Sequence, residues 1–282
     1  MKWGIVRYIA AVFFCSLILP SVTFAWNALG HMVVAQIAYQ ELSPAARAKA
    51  DKLVDYFHSE YPEMESFLNI AYWPDAIRSQ KIDTYTRWHY IDIAFSNDGT
   101  PLKNLIDTDN AVWALNNVEK VVKNDKANPY ERARFLAFLV HIVGDLHQPL
   151  HTVSYISAAH PDGDKGGNQY FIRYNNDRIN LHRLWDGGVG LFEQSATKEN
   201  AASLAAIITA RYPKDYFDKQ IDDLNPDNWA QEGVATAKAN VYNTPENLPP
   251  ISGYIDNGKQ TAQQRAALAG YRLAVLLDEL LS

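Results

Sequence analysis

The chain has 282 residues, of which 48% are apolar and 21% are charged. This balance is typical of a globular protein, and it excludes a disordered chain, a collagen-like repeat and a polytopic membrane protein. The formal net charge of −6 argues against binding of nucleic acid through a basic surface alone, because such proteins carry an excess of Lys and Arg. The single cysteine, Cys15, excludes an intrachain disulfide.

Residues 1–25 have the pattern of a secretory signal peptide. A positively charged start is followed by an apolar run at 8–19, and small residues precede a predicted cleavage site after Ala25. The run is too short to span a bilayer comfortably, so a retained signal anchor is the less favoured alternative. We therefore expect one mature domain over residues 26–282, secreted or periplasmic in a bacterium, without cysteine and without stable membrane association.

Helical periodicity dominates the mature chain. Apolar residues recur at intervals of three and four positions, which predicts helices at 31–42, 43–57, 108–123, 130–146 and 261–281. Alternating residues on either side of an Asn-Asn-Asp turn predict a hairpin with strands at 169–174 and 178–181. Segments rich in Gly, Pro, Asn and Asp predict loops at 155–167 and 243–258. The predicted fold is all-α, a single multi-helix domain with a small β-hairpin insertion.

Histidine and aspartate recur in short motifs beside these apolar segments. The clearest motif is His141-x-x-x-Asp145, because positions i and i+4 lie on one face of a helix and can hold one metal ion together. A proline then ends the helix, so that His151 returns towards the same face. His182 and Asp186 form a second pair with the same spacing. Imidazole and carboxylate groups without thiolates suit Zn²⁺ in a hydrolytic site.

Three further motifs lie upstream: Trp26-Asn27-Ala28-Leu29-Gly30-His31, Trp73-Pro74-Asp75-Ala76-Ile77-Arg78 and Arg87-Trp88-His89-Tyr90-Ile91-Asp92. Each residue has an ordinary structural explanation when it is taken singly: Asp75 as a helix N-cap, Arg78 as a solvated side chain, Tyr90 as a core aromatic. Five of the eight histidines nevertheless fall in motifs beside apolar segments, where burial is costly unless these groups are paired or coordinated. This convergence favours a metal site.

Together the motifs resemble those of the zinc-dependent, single-strand-specific type I nucleases, which have 3′-nucleotidase activity and share a largely helical fold with the zinc phospholipases C. The matching motifs run in order from Trp26 to Asp186. The resemblance implies a trinuclear centre of three Zn²⁺. It also implies an exported phosphodiesterase that hydrolyses single-stranded DNA and RNA to 5′-phosphate products and acts on 3′-nucleotides. No protein partner is inferred.

The same resemblance implies the ligands of each ion. One ion is bound by the α-amino and carbonyl groups of Trp26 and by His31. A second is bound by Asp75, His89 and His141, and Asp145 bridges these two ions. The third ion stands apart and is bound by His151, His182 and Asp186.

The resemblance also implies the residues that act on substrate. Asp75 orients the attacking water, and Arg78 lies beside the scissile phosphate. Tyr90 and Asp92 lie where family members stack on a nucleobase and form hydrogen bonds to it, and Asn168 matches another residue of the substrate pocket. Stacking requires an unpaired base, which favours single strands. Three Zn²⁺ add six positive charges to the cleft, so an acidic chain can still act on a polyanion.

Two alternatives remain open at this point. A zinc phospholipase C has a similar cluster, but those enzymes typically have His-x-x-x-Glu at the third site and a longer gap after the N-terminal Trp. Asp186 and the short step from Trp26 to His31 therefore favour the nuclease. In a non-catalytic zinc-binding or adhesion protein, Arg78 and the Tyr90/Asp92 pair would have no evident role.

Overall fold

The structure is a computed structural model that describes residues 26–282, so the predicted signal peptide lies outside the described residues. The helices are α1 (Ala28–Glu41), α2 (Pro44–Glu60), α3 (Phe67–Ile70), α4 (Trp73–Ser79), α5 (Ala111–Lys123), α6 (Pro129–His147), α7 (Leu181–Asp186), α8 (Lys198–Arg211), α9 (Pro226–Thr236) and α10 (Tyr254–Leu281). The strands are β1 (Ile93–Phe95), β2 (Val153–Tyr155), β3 (Phe171–Tyr174) and β4 (Asp177–Asn180). The predicted all-α class with a small hairpin is confirmed. Across this region no helix has both the length and the apolar character that crossing a bilayer requires.

Side-chain caps explain where most of the predicted helices begin. The Asn110 side chain accepts a hydrogen bond from the Trp113 backbone N–H, so α5 begins three residues later than predicted. Asn128 caps α6, and a proline occupies the first turn. The predicted loop at 243–258 is wrong for its last residues, because α10 begins at Tyr254. The Tyr254 hydroxyl is buried and donates a hydrogen bond to the Val241 carbonyl, which a periodicity argument does not detect.

Helix α6 forms the centre of the molecule. Every residue from Leu136 to His147 is buried, and the helix packs against α2, α5 and α10. A helix enclosed on all sides has no solvent for its polar residues, so His141, Asp145 and His147 must find partners inside the protein. The fold thus concentrates unpaired nitrogen and oxygen atoms around one buried helix.

The two strand pairs hold the segments that flank α6. Strands β3 and β4 form the predicted hairpin, and Asn175 and Asn176 adopt the left-handed conformation that its tight turn requires (φ 51° and 67°). Strands β1 and β2 pair in parallel, with Ile93 opposite Val153. This second pair was not predicted, because it is short and joins distant parts of the chain. It places the segment after His89 alongside the turn that follows α6.

His147, which the motif analysis leaves outside the metal site, belongs to a structural network. Its Nδ1 donates to the Val143 carbonyl (2.8 Å), and its Nε2 accepts a hydrogen bond from Arg272 Nη1 (3.0 Å). Burial and the charges of Arg265 and Arg272 lower the pKa of His147, which keeps the ring neutral. Arg272 also forms two hydrogen bonds with Glu232, at 2.8 and 2.7 Å. The network joins α6, α9 and α10.

We expect Glu119 on α5 to make the stability of the folded protein depend on pH. Burial and the charge of Glu279 raise its pKa from 4.5 to about 7. The folded protein therefore binds this proton more tightly than the unfolded chain, and the resulting stabilisation is complete below pH 4.5 and lost as the pH rises through 7. We expect Glu119→Gln to raise Tm at pH 8 by about 1–3 °C and to change it little at pH 4. Thermal denaturation followed by circular dichroism measures both values.

The matched control for this prediction is Glu63→Gln, which changes an exposed glutamate. A Tm shift for Glu119→Gln that is equal at both pH values, or that is matched by Glu63→Gln, contradicts the assignment.

Candidate metal centre

All the predicted histidine and aspartate ligands are buried, and the structure brings them together. They lie on α1, α4, α6, α7 and two short 3₁₀ turns, Thr86–His89 and Pro149–His151. Within the described chain, three groups have ligand atoms within 4.8 Å of one another: His31, Asp75 and His141; His89, His141 and Asp145; and His151, His182 and Asp186. The third group contains the residues of the third predicted set. The first two groups share His141 and place His31 with Asp75, so they bring the other predicted ligands together without dividing them between two ions as predicted.

Asp145 lies between the first two groups. Its Oδ1 is 3.3 Å from His31 Nε2, while its Oδ2 is 3.2 Å from both His89 Nδ1 and His141 Nε2. Asp75 is arranged in the same way, with Oδ2 4.0 Å from His31 Nε2 and Oδ1 3.6 Å from His89 Nδ1. Each carboxylate thus presents one oxygen to each side, which is the arrangement that a bridging carboxylate needs.

Asp75 also shows why its ordinary explanation as a helix cap is wrong. The N-cap of α4 is Tyr72, and Asp75 lies inside the first turn. Its side chain is directed into the cluster and lies 3.6 Å from Arg78 Nη1. Arg78, one turn further along the same helix, therefore reaches the edge of the centre.

Trp26 is fully buried beside the first group. Its indole packs edge-on against Phe192, with ring centroids 5.4 Å apart. The next residue, Asn27, donates its backbone N–H to the Asp186 carbonyl (2.9 Å). A Cβ at Gly144 would lie 2.8 Å from His31 Nδ1, so this glycine lets α1 approach α6 closely. The start of the described chain is thus held against the predicted ligands.

The third group is organised around Asp186. Its Oδ1 is 3.8 Å from His151 Nε2 and its Oδ2 is 3.5 Å from His182 Nε2. Gln148 Nε2 donates a 2.6 Å hydrogen bond to Asp186 Oδ1, and Gln148 Oε1 accepts from the Leu150 N–H. The motif analysis did not single out Gln148. Its position just before Pro-Leu-His was the available signal.

Backbone carbonyls orient three of the imidazoles. His141 Nδ1 donates to the Ala71 carbonyl (2.7 Å), His151 Nδ1 to the His89 carbonyl (2.6 Å) and His182 Nδ1 to the Gly166 carbonyl (2.6 Å). These hydrogen bonds assign the proton to Nδ1, so each Nε2 carries a lone pair that faces the centre. Lone pairs and carboxylate oxygens that converge without a donor repel one another unless a cation lies between them.

The electrostatics of the centre favour the same conclusion. Burial raises the pKa of Asp75 to about 7 and the pKa of Asp145 well above its usual range, while burial lowers the pKa of His182 to about 4. In the described region, several buried atoms have no hydrogen-bond partner: both carboxylate oxygens of Asp75 and Asp145, both ring nitrogens of His31, His89 Nε2 and His151 Nε2. Orphaned buried groups are costly, and divalent cations satisfy them. Nitrogen and oxygen donors without thiolates fit Zn²⁺.

A cavity of about 300 Å³ opens beside the centre. The predicted substrate-binding residues line it together with several of the imidazoles: its lining is Arg78, His89, Tyr90, Asp92, Leu150, His151, Lys165, Gly166, Asn168 and His182. Burial raises the pKa of Asp92 to about 7, the nearby charges of Asp164 and Asp107 add to this, and Lys165 opposes it. The structure thus joins the predicted base-binding residues and the metal centre in one continuous site.

Hydrogen bonds of Asp164 stabilise the loop that carries Asn168. This buried carboxylate accepts hydrogen bonds from the Tyr155 N–H (2.9 Å) and from the Tyr242 hydroxyl (2.7 Å). A Cβ at Gly166 would lie 2.3 Å from the Leu150 carbonyl oxygen, so only glycine fits there. One loop therefore positions both the predicted substrate residue Asn168 and the carbonyl that orients His182.

Gln148 gives a direct test of the third group. Gln148→Leu removes the donor to Asp186 Oδ1, and loss of such an outer contact typically lowers metal affinity by about 10- to 100-fold. We expect the variant to lose one equivalent of zinc at chelator concentrations that the wild type withstands. Elemental analysis after dialysis measures this loss. Gln169→Leu, at an exposed position, is the control, and equal zinc retention by the wild type and Gln148→Leu contradicts the prediction.

The chain is similar to several known nucleases, which is consistent with the metal centre and cavity described above. Nuclease S1 of Aspergillus oryzae is 28% identical over 93% of this chain and 94% of its own length. Endonuclease 1 of Arabidopsis thaliana is 26% identical over 92% of this chain and 88% of its own length. Nuclease P1 of Penicillium citrinum is 29% identical over 57% of each chain.

The profile of the family described as S1/P1 Nuclease matches residues 26–282, which is the whole of the region that the structure describes. The match includes each of the three groups of predicted ligands and the adjoining cavity. The chain therefore belongs to the S1/P1 nuclease family and is a zinc-dependent nuclease that hydrolyses phosphate ester bonds.

Proposed function

We propose that this nuclease hydrolyses single-stranded DNA and RNA at a centre of three Zn²⁺, releases 5′-phosphate products and also removes the phosphate from 3′-nucleotides. The observation that supports the proposal most strongly is that three buried ligand groups adjoin one cavity, which is lined by Arg78, Tyr90, Asp92 and Asn168. The proposed ligands are Trp26 and His31; Asp75, His89 and His141; the bridging Asp145; and His151, His182 and Asp186.

When bound, zinc supplies Lewis-acid chemistry that makes water a better nucleophile at neutral pH and stabilises negative charge on phosphate. The chain's own residues direct the substrate. Asp75 accepts a hydrogen bond from the attacking water and aligns it with phosphorus. Arg78, 3.6 Å from Asp75, donates to the phosphoryl oxygens, where negative charge grows in the transition state.

The cavity explains the proposed preference for single strands. Its volume of about 300 Å³ is at the small end of ligand cavities and takes one nucleotide at a time. A base enters only after it has left its stack, and Tyr90 then stacks on it while Asp92 and Asn168 bind its edge. A base in a duplex must first be unpaired and unstacked, at a cost of a few kcal/mol.

We further propose that the protein is exported and cleaved after Ala25. The support is the charged start, the apolar run and the small residues before Trp26. Cleavage would give Trp26 a free α-amino group beside His31. No specific observation favours the phospholipase alternative.

The experiment compares substrates for the processed protein at a measured zinc content. We expect single-stranded DNA and RNA to be hydrolysed at least about tenfold faster than duplex DNA of the same sequence. We also expect 5′-phosphate ends, phosphate release from 3′-AMP and three zinc ions per chain. Equal rates on duplex DNA, 3′-phosphate ends or faster cleavage of phosphatidylcholine vesicles would overturn the proposal.

A further inference from the structure

Lys165 lies at the cavity without an assigned role. It is exposed, yet it lines the same cavity as Tyr90, Asp92 and Asn168. No carboxylate in residues 26–282 lies within 4.0 Å of its ammonium group, although many other cationic side chains in this region form such ion pairs. An ammonium group at the opening of a substrate cavity, with no internal ion pair, is available to an anion from solution.

The backbone holds Lys165 in an unusual conformation. Its φ of 56° lies in the left-handed region, which is unfavourable for a residue other than glycine. Its N–H donates to Ser154 Oγ (3.2 Å), and its carbonyl accepts from Asn168 Nδ2 (2.9 Å). The neighbouring Asp164 is held by Tyr155 and Tyr242. A long cationic side chain at a strained, well-anchored position points to a function there.

Two cationic side chains thus line the cavity at different depths. The Arg78 side chain is 15% exposed and lies 3.6 Å from Asp75, so it belongs to the inner end beside the metal centre. Lys165 is exposed and belongs to the opening. In a polynucleotide each nucleoside carries one phosphate on its 3′ oxygen and one on its 5′ oxygen. If the 3′-phosphate lies beside Arg78, the strand leaves the cavity through the 5′-phosphate.

We propose that Lys165 binds the 5′-phosphate of the nucleotide whose 3′-phosphate is hydrolysed. The proposal rests on the proposed function and refines its substrate class. An internal nucleotide, or one at a 5′-phosphorylated end, carries the second phosphate, whereas a 3′-mononucleotide does not. Lys165 therefore makes the enzyme favour polynucleotides over 3′-mononucleotides, and the cavity with its two cations is a two-phosphate site.

The test measures kcat/KM for release of the 3′-phosphate from adenosine 3′-phosphate and from adenosine 3′,5′-bisphosphate. One charge-assisted contact gives about a tenfold preference for the bisphosphate in the wild type at low salt. We expect Lys165→Met to bring the ratio of the two values to about 1, Lys165→Glu to reverse the preference, and Lys165→Arg to retain it. The wild-type preference should also fall as salt is raised.

The matched control is Lys126→Met, which removes an exposed ammonium group from the turn between α5 and α6 and should keep the wild-type ratio. A wild-type ratio that Lys165→Met leaves unchanged overturns the proposal. Equal losses on both substrates in Lys165→Met overturn it in favour of a contact to the nucleoside or to the 3′-phosphate, which the two substrates share. If the wild type releases phosphate from neither substrate, the proposed function fails rather than the role of Lys165.

Discussion

Asp145→Asn is expected to abolish turnover of both single-stranded DNA and 3′-nucleotides. Asp145 is fully buried, with one oxygen 3.3 Å from His31 and the other 3.2 Å from His89 and His141. An amide has no negative charge and only one oxygen, so it cannot serve both sides. Loss of metal-dependent charge stabilisation worth several kcal/mol lowers kcat/KM by about a thousandfold or more. Steady-state rates and zinc content of the same preparation measure the effect.

Stability separates this loss from a failure to fold. Burial raises the pKa of Asp145, so the metal-free fold already disfavours the charged carboxylate. Metal-free Asp145→Asn should therefore be at least as stable at pH 8 as the metal-free wild type, while its zinc-loaded form should gain less. Asp215→Asn, at an exposed position outside the centre, serves as the control. Full activity of Asp145→Asn would mean that the ligand assignment is wrong.

The second large effect concerns the residue before Trp26. A protein that retains Ala25 should lose about a hundredfold or more of its activity, because the proposed α-amino ligand becomes an amide nitrogen without a lone pair for metal. Trp26 is fully buried, and the Asn27 N–H donates a hydrogen bond to the Asp186 carbonyl. The chain therefore cannot make room for an extra residue by a simple shift of its N-terminal backbone. Mass spectrometry establishes the N-terminus of each form, and phosphate release from 3′-AMP gives the rates.

Adding one alanine after Ser282 provides the control for this comparison, because Ser282 is exposed. That form should match the wild type. An Ala25-retaining form that is equally active, or that keeps the same number of zinc ions at the same affinity, contradicts ligation by the amino end.

Apolar periodicity and turn residues predicted those parts of the fold that depend on interactions between residues close together in the sequence. The apolar stripe of α5, the apolar run of α6 and the Asn-Asn turn between β3 and β4 can be predicted without knowledge of distant residues. Helix α8 buries Ala201, Leu204, Ala205 and Ile208, but apolar residues also lie on its exposed face, so its periodicity is blurred and the helix was not predicted. The pairing of β1 with β2 depends on residues about sixty positions apart, which no local pattern specifies.

The functional site also has a part that local spacing indicates and a part that depends on the tertiary structure. The spacing of His141 and Asp145 indicates a shared helix face, and the resemblance supplied the order of the other motifs. The contact of Gln148 with Asp186 and the placement of Lys165 at the cavity arise only when α7 and the loop after β2 pack against the end of α6. Such contacts join residues that are far apart in the chain, so spacing carries no sign of them.

The deep burial of Trp26 has a consequence for the cell that makes this enzyme. Under the proposed ligation, the newly made precursor is latent, because the peptide bond before Trp26 blocks one metal ligand. The proposed ligation would then keep the producing cell's own RNA from being hydrolysed during synthesis. If export and cleavage after Ala25 occur as proposed, one cut would release the protein and free the amino ligand, so that hydrolysis would begin only outside the cytoplasm.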